Sequence, residues 1–402
     1  MNFFAVAGLI VAVLGLPAVW IALSVNRAKK RAASFDAVWE YVDSHQADLR
    51  SLGWSTSPVE WKSDVIPMLV RAGWLADRPI PLDCVTLKWQ TEVLQEKGGG
   101  RRQFGLSLSD AVGGYECYSK ALTTRTGKGQ LFNGIIYRPV DVKVTSRGFQ
   151  LTFIRGRYFD YLDTSEVLAF ELGARLHSHK SSPADGPRRR AVTDPFDLAS
   201  RATSLGVNTL TIRRDISGQH GFFMHRRSGS HVVNESDLIH VVPAGEFTPS
   251  DISYEAMDAD FSLWRNVMRE YAEEFLNKEE AYGQGGQPLD YDNSSPYAEL
   301  SAAKRNGLLR VSVFGIAIDS LCLKPELLTV CVFDANAFDR IFADMVSVNS
   351  EGVLLVGPNR RGIPFTHANV ELYADNADTT SAGAACLKLA WHYRRELGLI
   401  EA

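Results

Sequence analysis

The chain has 402 residues, enough for two or three domains with buried cores. At 45% hydrophobic and 22% charged residues with a net charge of −4, its composition is that of an ordinary globular protein. Nothing globally basic points to nucleic acid, so no nucleic-acid partner is expected. The five cysteines, Cys84, Cys117, Cys322, Cys331 and Cys386, are scattered without a close metal-type pair, which fits a reducing compartment.

Residues 3–25 carry no charged side chain. Those twenty-three residues, at about 1.5 Å each, suffice to cross a hydrocarbon core of about 30 Å. The prediction is an N-terminal transmembrane anchor over 1–26, with the membrane as a partner. Arg27, Lys29, Lys30 and Arg31 follow the span directly. Positive residues stay inside, so the expected localisation is the cell membrane, single-pass, with the soluble body on the cytoplasmic side.

Residues 27–176 read as a mixed α/β accessory domain. Phe35, Val38, Trp39 and Val42 are spaced as a helical stripe, and Val59 to Leu75 reads as a second helix. Strand-like runs follow at Leu82 to Trp89, Ile135 to Thr145 and Phe149 to Ile154. The aromatic and acidic cluster Tyr158 to Asp163 is read as the core and cap of a strand-to-helix corner, with Asp163 or Thr164 as N-cap; a ligand surface is the other reading. Residues 177–193, rich in His, Ser, Pro, Gly and Arg, read as an exposed linker.

From 194 onward, Asp194-Pro195 opens a short helix to Leu205, and Val207 to Arg213 pairs with Phe222 to His225 as a hairpin. Asp237 to Val242 reads as a strand, broken by Pro243-Ala244-Gly245-Glu246. An amphipathic helix is expected from about Asp260 to Asn277, with Glu270, Glu273 and Glu274 as neighbours on one side and Trp264, Val267, Met268, Tyr271 and Phe275 as an apolar stripe. A polar stretch from Ala281 to Ser295 is expected to be a loop over the cleft. Central strands are predicted at Leu309 to Ile318 and Leu327 to Phe333, a helix from Asn336 to Val346, a strand at Gly352 to Val356 and a final helix from Thr380 to Leu397.

The order of strand, glycine turn and carboxylate helix resembles the Nudix box. Arg269, Glu270, Tyr271, Glu273 and Glu274 match the core of its Arg-Glu-apolar-x-Glu-Glu pattern. The frame departs from the family's: Gly245 lies twenty-four positions before Arg269 instead of fourteen. Phe261 stands where the first Glu belongs, with Asp258 and Asp260 nearby, and Leu276 then Asn277 stand at the closing Gly. From the residues alone, the same seven positions also read as a solvated charged face, with Arg269 pairing Glu273 at i+4.

The resemblance implies that 194–402 form a Nudix-like domain. The expected fold class is therefore α+β: an N-terminal transmembrane helix, a mixed α/β accessory domain and a C-terminal Nudix-like α/β/α sandwich with a mixed sheet. It further implies that Glu270, Glu273 and Glu274 hold Mg²⁺ or Mn²⁺, and that Glu273, Glu274 and Arg269 are the catalytic set, Arg269 bracing a glutamate. Gly245 and Glu246 sit at the cofactor-binding turn. The implied activity is that of a membrane-anchored, Mg-dependent hydrolase, cleaving a nucleoside diphosphate linked to another moiety, a nucleotide-derived small molecule. The alternatives are a catalytically inactive nucleotide sensor of the same fold and an anchored scaffold. The sequence sets no oligomeric state.

Overall fold

The computed structural model describes residues 33–90, 115–126, 131–178, 186–227, 238–279 and 288–400. Helices α1 (33–44) and α2 (Gln46–Thr56) precede strands β1 (Leu75–Pro81) and β2 (Val85–Trp89). Helix α3 (Tyr118–Thr126) and strands β3 (Ile135–Val144) and β4 (Phe149–Arg157) follow. A continuous helical run then joins α4 (Tyr158–Tyr161), a π-turn at Leu162–Glu166 and α5 (Val167–His177), and α6 (Pro187–Ala191) is short.

Strands β5 (Gly206–Arg214), β6 (Gly221–Phe222), β7 (Met224–Arg227), β8 (Ile239–Val241) and β9 (Ala244–Glu246) come next. They lead to α7 (Tyr254–Ala259) and α8 (Leu263–Glu270), which a second π-turn, Tyr271–Phe275, prolongs. Helix α9 (Tyr297–Arg305) precedes the hairpin of β10 (Leu309–Ile318) and β11 (Pro325–Asp334). Helix α10 (Ala335–Ile341), β12 (Gly352–Leu355), β13 (Ile363–Pro364), α11 (His367–Ala374) and α12 (Ser381–His392) end the described chain.

The large sheet has the order β1-β10-β11-β5-β6-β13, with β9 also on β5. It is mixed, because β11 and β5 run parallel while β10 pairs antiparallel with both β1 and β11. Its edge strand β1 comes from the amino-terminal region. Strand side chains alternate between faces, and β11 shows it: Leu327, Cys331 and Phe333 enter one core, Leu328, Val330 and Val332 the other. Helices α8, α9 and α10 cover the first face, and α11 and α12 the second. Two three-stranded sheets, β12-β7-β8 and β2-β4-β3, flank this body.

The carboxylate helix is fastened to the first face by aromatic packing. Tyr271 and Phe275 lie 5.3 and 4.9 Å from Phe342 between ring centres, and the Tyr271 hydroxyl meets Thr211 Oγ1 on β5 at 2.7 Å. Buried aromatic rings contribute most of the packing energy of such a contact, and the hydroxyl fixes the rotation of the helix.

The expectation of a membrane-anchored chain is corrected. Among the described residues no helix is long and apolar enough to cross a membrane, and 3–25, which carried that expectation, lies outside them. The longest continuous helical run among them, 158–177, carries Asp160, Asp163, Glu166, Glu171 and Arg175. Side chains of that kind are costly in hydrocarbon. The transmembrane part of the expected fold, the single-pass topology and the cell-membrane localisation therefore do not stand; what stands is a mixed α+β fold.

Local expectations also change. Val59 to Leu75 is not a helix beyond a 3₁₀ turn at Val59–Trp61, because Pro67 has no N–H for an interior turn and Gly73 adopts φ +82. Instead Leu69 exchanges backbone hydrogen bonds with Ile318 at 3.0 and 2.8 Å. The helix expected from Asp194 to Leu205 shrinks to a 3₁₀ turn, Leu198–Ser200. Asp163 is not a cap: it lies buried in the first π-turn, accepting from Ser119 N at 2.7 Å and Ser119 Oγ at 2.9 Å. Much of the loop expected at Ala281 to Ser295 lies outside the described residues.

Candidate functional site

The predicted helix from Asp260 to Asn277 is a shorter helix, α8, prolonged by a π-turn. Ser262 interrupts it as an N-cap, accepting from Arg265 N, so α8 begins only at Leu263. The π-turn Tyr271–Phe275 then carries Glu273 and Glu274. Such widened turns are uncommon and often lie at functional sites. The helix ends where Asn277 takes φ +50 and Lys278 N bonds back to Ala272 O at 3.0 Å, a left-handed cap of the kind glycine usually supplies.

Beside this helix lies a cleft of about 380 Å³, lined by Gly245, Glu246, Glu270 and Glu273 and, from other elements, by Lys324, Glu326, Arg227 and Glu351. Gly245 and Glu270 touch. A Cβ on Gly245 would stand 2.1 Å from Glu270 Oε1 and 2.2 Å from its carboxyl carbon. The missing side chain is what lets the carboxylate lie on the turn's backbone.

The three glutamates of the box are not equivalent. Glu270 and Glu273 are half-buried on the cleft wall. Glu274 is 1% exposed; its Oε1 accepts from Ala244 N at 3.3 Å and lies 4.0 Å from Arg227 Nη2, while Oε2 is buried without a hydrogen-bond partner. Burial, reinforced by Glu351, holds its pKa well above the usual carboxylate range.

Arg269 points elsewhere. Its Nη1 lies 3.2 Å from Asp260 Oδ1 and donates to the Tyr291 hydroxyl at 2.8 Å, and Tyr291 in turn donates to Asp260 at 2.5 Å. Its ion pair is thus with an acid of the preceding turn, and it supports the frame of the helix.

Glu246, at the end of β9, pairs with Lys324 at 2.7 Å, and Lys324 also reaches Glu326 at 3.1 Å. Glu326 accepts from Asn208 Nδ2 at 2.7 Å, and burial pushes its carboxyl up to about 7. Lys324, Glu326, Arg227 and Glu351 were not legible as site residues. They come from strand ends and a turn far apart in the chain, with no fixed spacing to read.

The site is thus an acid-rich cleft at the meeting of a glycine turn, a π-turn and the starts of β9 and β11. The first π-turn borders it too, through Leu162 and Glu166, with Tyr158 and Tyr161 beside them. No family model matches the chain, and no curated protein matches it. Among solved structures, the crystal structure of a NUDIX hydrolase from Alicyclobacillus acidocaldarius is similar at a TM-score of 0.27 and 14% identity, over 49% of this chain and 95% of that one. At that score the likeness fixes neither fold nor family.

Proposed function

We propose that the chain is a Nudix-like hydrolase, dependent on a divalent cation, that cleaves a nucleoside diphosphate linked to another moiety. The observation that carries this reading is the Glu270 carboxylate lying against the Gly245 backbone in a cleft that Glu273 also lines. Hard oxygen donors suit Mg²⁺ or Mn²⁺, and Glu270 and Glu273 offer such donors to the cleft. Glu246 Oε2 and Glu274 Oε2 are buried without partners, the condition a cation or a proton relieves.

Glu270, Glu273 and Glu274 would hold the ion. When bound, it supplies neutralisation of phosphate charge and a more acidic water. Arg227 and Lys324 on the cleft wall place positive charge where the phosphates of a substrate would lie. Glu326 titrates near neutrality and is suited to accept or return a proton.

The test uses the purified full chain with Mg²⁺ or Mn²⁺ and a panel of dinucleotides and nucleotide sugars. Turnover should appear for at least one class and vanish in a Glu270→Gln, Glu273→Gln double variant; equal rates in both proteins would remove catalysis. One observation favours the sensor alternative: Arg269 is engaged with Asp260 and Tyr291, in the frame of the helix. Saturable nucleotide binding without product would support that second reading.

A further inference from the structure

Behind Glu274 lies a group of donors that the box does not contain. One ring nitrogen of His225 and one carboxylate oxygen each of Glu274 and Glu351 lie within 4.8 Å of one another. His225 stands on β7, Glu274 in the π-turn, and Glu351 just before β12. β7 and β12 are paired neighbours, with His225 opposite Leu354.

His225 and Glu274 are each 1% exposed, and each keeps a buried polar atom without a hydrogen-bond partner, Nδ1 and Oε2 respectively. Two such atoms at the centre of a folded protein carry an energetic cost unless something meets them. Asn349 shows how the set is held. Its Nδ2 donates to the Glu274 carbonyl at 2.8 Å, and its Oδ1 accepts from Glu351 N at 2.9 Å and Gly352 N at 2.8 Å. That network assigns the amide's orientation, so the 3.2 Å contact between Asn349 Oδ1 and His225 Nε2 has the ring nitrogen donating. With the proton on Nε2, the lone pair is on Nδ1, the atom left without a partner. This is the arrangement of a metal-ligating imidazole, oriented by a hydrogen bond on its other nitrogen.

We infer that His225, Glu274 and Glu351 form a cation site of mixed nitrogen and oxygen donors, taking a borderline divalent transition ion such as Zn²⁺ in preference to Mg²⁺. Imidazole suits such ions, whereas Mg²⁺ selects oxygen. Three protein donors leave coordination positions open, and Glu351 places that opening on the cleft wall. Arg227, with Nη2 at 4.0 Å from Glu274 and 3.9 Å from Glu351, offsets one of the two carboxylate charges. One net negative charge remains for the ion. Asn349 is a positioning residue here, since one side chain ties all three ligands together. The inference does not require the chain to be a hydrolase, although Glu274 belongs to both sets.

The experiment titrates metal-free full-length protein with Co²⁺, whose visible absorption reports nitrogen and oxygen ligation, and then competes it with Zn²⁺ and with Mg²⁺. Expected are a single saturable site with visible bands, displacement by Zn²⁺ and not by Mg²⁺, and loss of the bands in His225→Gln. Asn349→Ala should weaken binding about tenfold to a hundredfold. Glu351, whose side chain is 35% exposed, can be changed with little risk to the fold, so Glu351→Gln provides an arm that survives if His225→Gln does not fold; it too should bind at least about tenfold more weakly. The Glu270→Gln, Glu273→Gln variant should keep the bands even where turnover is lost, which separates this site from the hydrolase reading. Absence of Co²⁺ binding in the unmodified protein, or bands undiminished in Glu351→Gln, would overturn it.

Discussion

The carboxylate of Glu270 occupies the space a side chain on Gly245 would need, with Oε1 2.1 Å and Oε2 2.5 Å from the position of that Cβ. The obstacle is the far end of a flexible side chain, so Gly245→Ala can be accommodated by swinging the carboxylate away. The fold should therefore be nearly unaffected while the cleft changes. A displacement of about 1 Å in a reacting group costs on the order of a hundredfold in rate. Gly245→Ala should lower turnover by about that factor with an unchanged thermal midpoint, and add little further loss in a Glu270→Gln background. Full additivity of the two losses would show that the turn and the carboxylate act independently.

Asp260 and Arg269 make a different kind of claim. Asp260 is 0% exposed and Arg269 5%, and Asp260 also accepts from Ser250 N at 2.7 Å. Removing one member of a buried pair leaves the other uncompensated, at a cost of about 3–5 kcal/mol. Asp260→Ala should lose stability on that scale in denaturant unfolding. A loss below about 1 kcal/mol, the range of exposed pairs, would mean that water reaches Arg269 freely.

That pair also marks what the sequence could and could not convey. The β-branched apolar runs announced β10 and β11, and the strand, glycine turn and carboxylate helix appear in the order read from the chain. Arg269 was legible as a helix residue but not as the partner of Asp260. A helix drawn unbroken through Ser262 puts those two residues nine positions apart on one rod, whereas the cap folds the preceding turn back onto it. Periodicity misread Val59 to Leu75 because Ile66, Met68 and Leu69 are buried by tertiary contacts in an irregular chain. Nor could spacing bring His225, Glu274 and Glu351 together, since sheet pairing sets their proximity.

Asn277 closes the carboxylate helix at φ +50, and its Oδ1 also accepts from Ser350 N at 3.2 Å. Two effects can be separated there. Asn277→Gly loses the side-chain bond but also sheds the Cβ, which costs roughly 1 kcal/mol in that conformation, whereas Asn277→Ala loses the bond and keeps the Cβ. Alanine should thus be the less stable variant by about that amount. Equal stabilities in urea unfolding would show that the helix end relaxes out of the left-handed region.

The last expectation concerns Glu326, whose carboxyl burial raises from 4.5 to about 7. Between those values the unfolded chain has released this proton while the native chain retains it. The unfolded state then binds fewer protons, and stability falls as pH rises. The stabilisation is fully present below about pH 4.5 and gone above about pH 7; at about 1.4 kcal/mol per unit the total is roughly 3 kcal/mol. His225 acts in the opposite sense. Burial lowers its pKa from 6.5 to about 4, so its contribution grows as pH rises through that interval. The two slopes overlap, and the raw pH profile of the protein cannot separate them. The difference between the unmodified protein and Glu326→Gln can, because the amide has no proton to lose and His225 is common to both. That difference should shrink from pH 4.5 towards pH 7, with the unmodified protein losing its relative advantage, and should level off above. A difference that stays constant across the interval would mean that Glu326 is ionised throughout, held so by Lys324 at 3.1 Å.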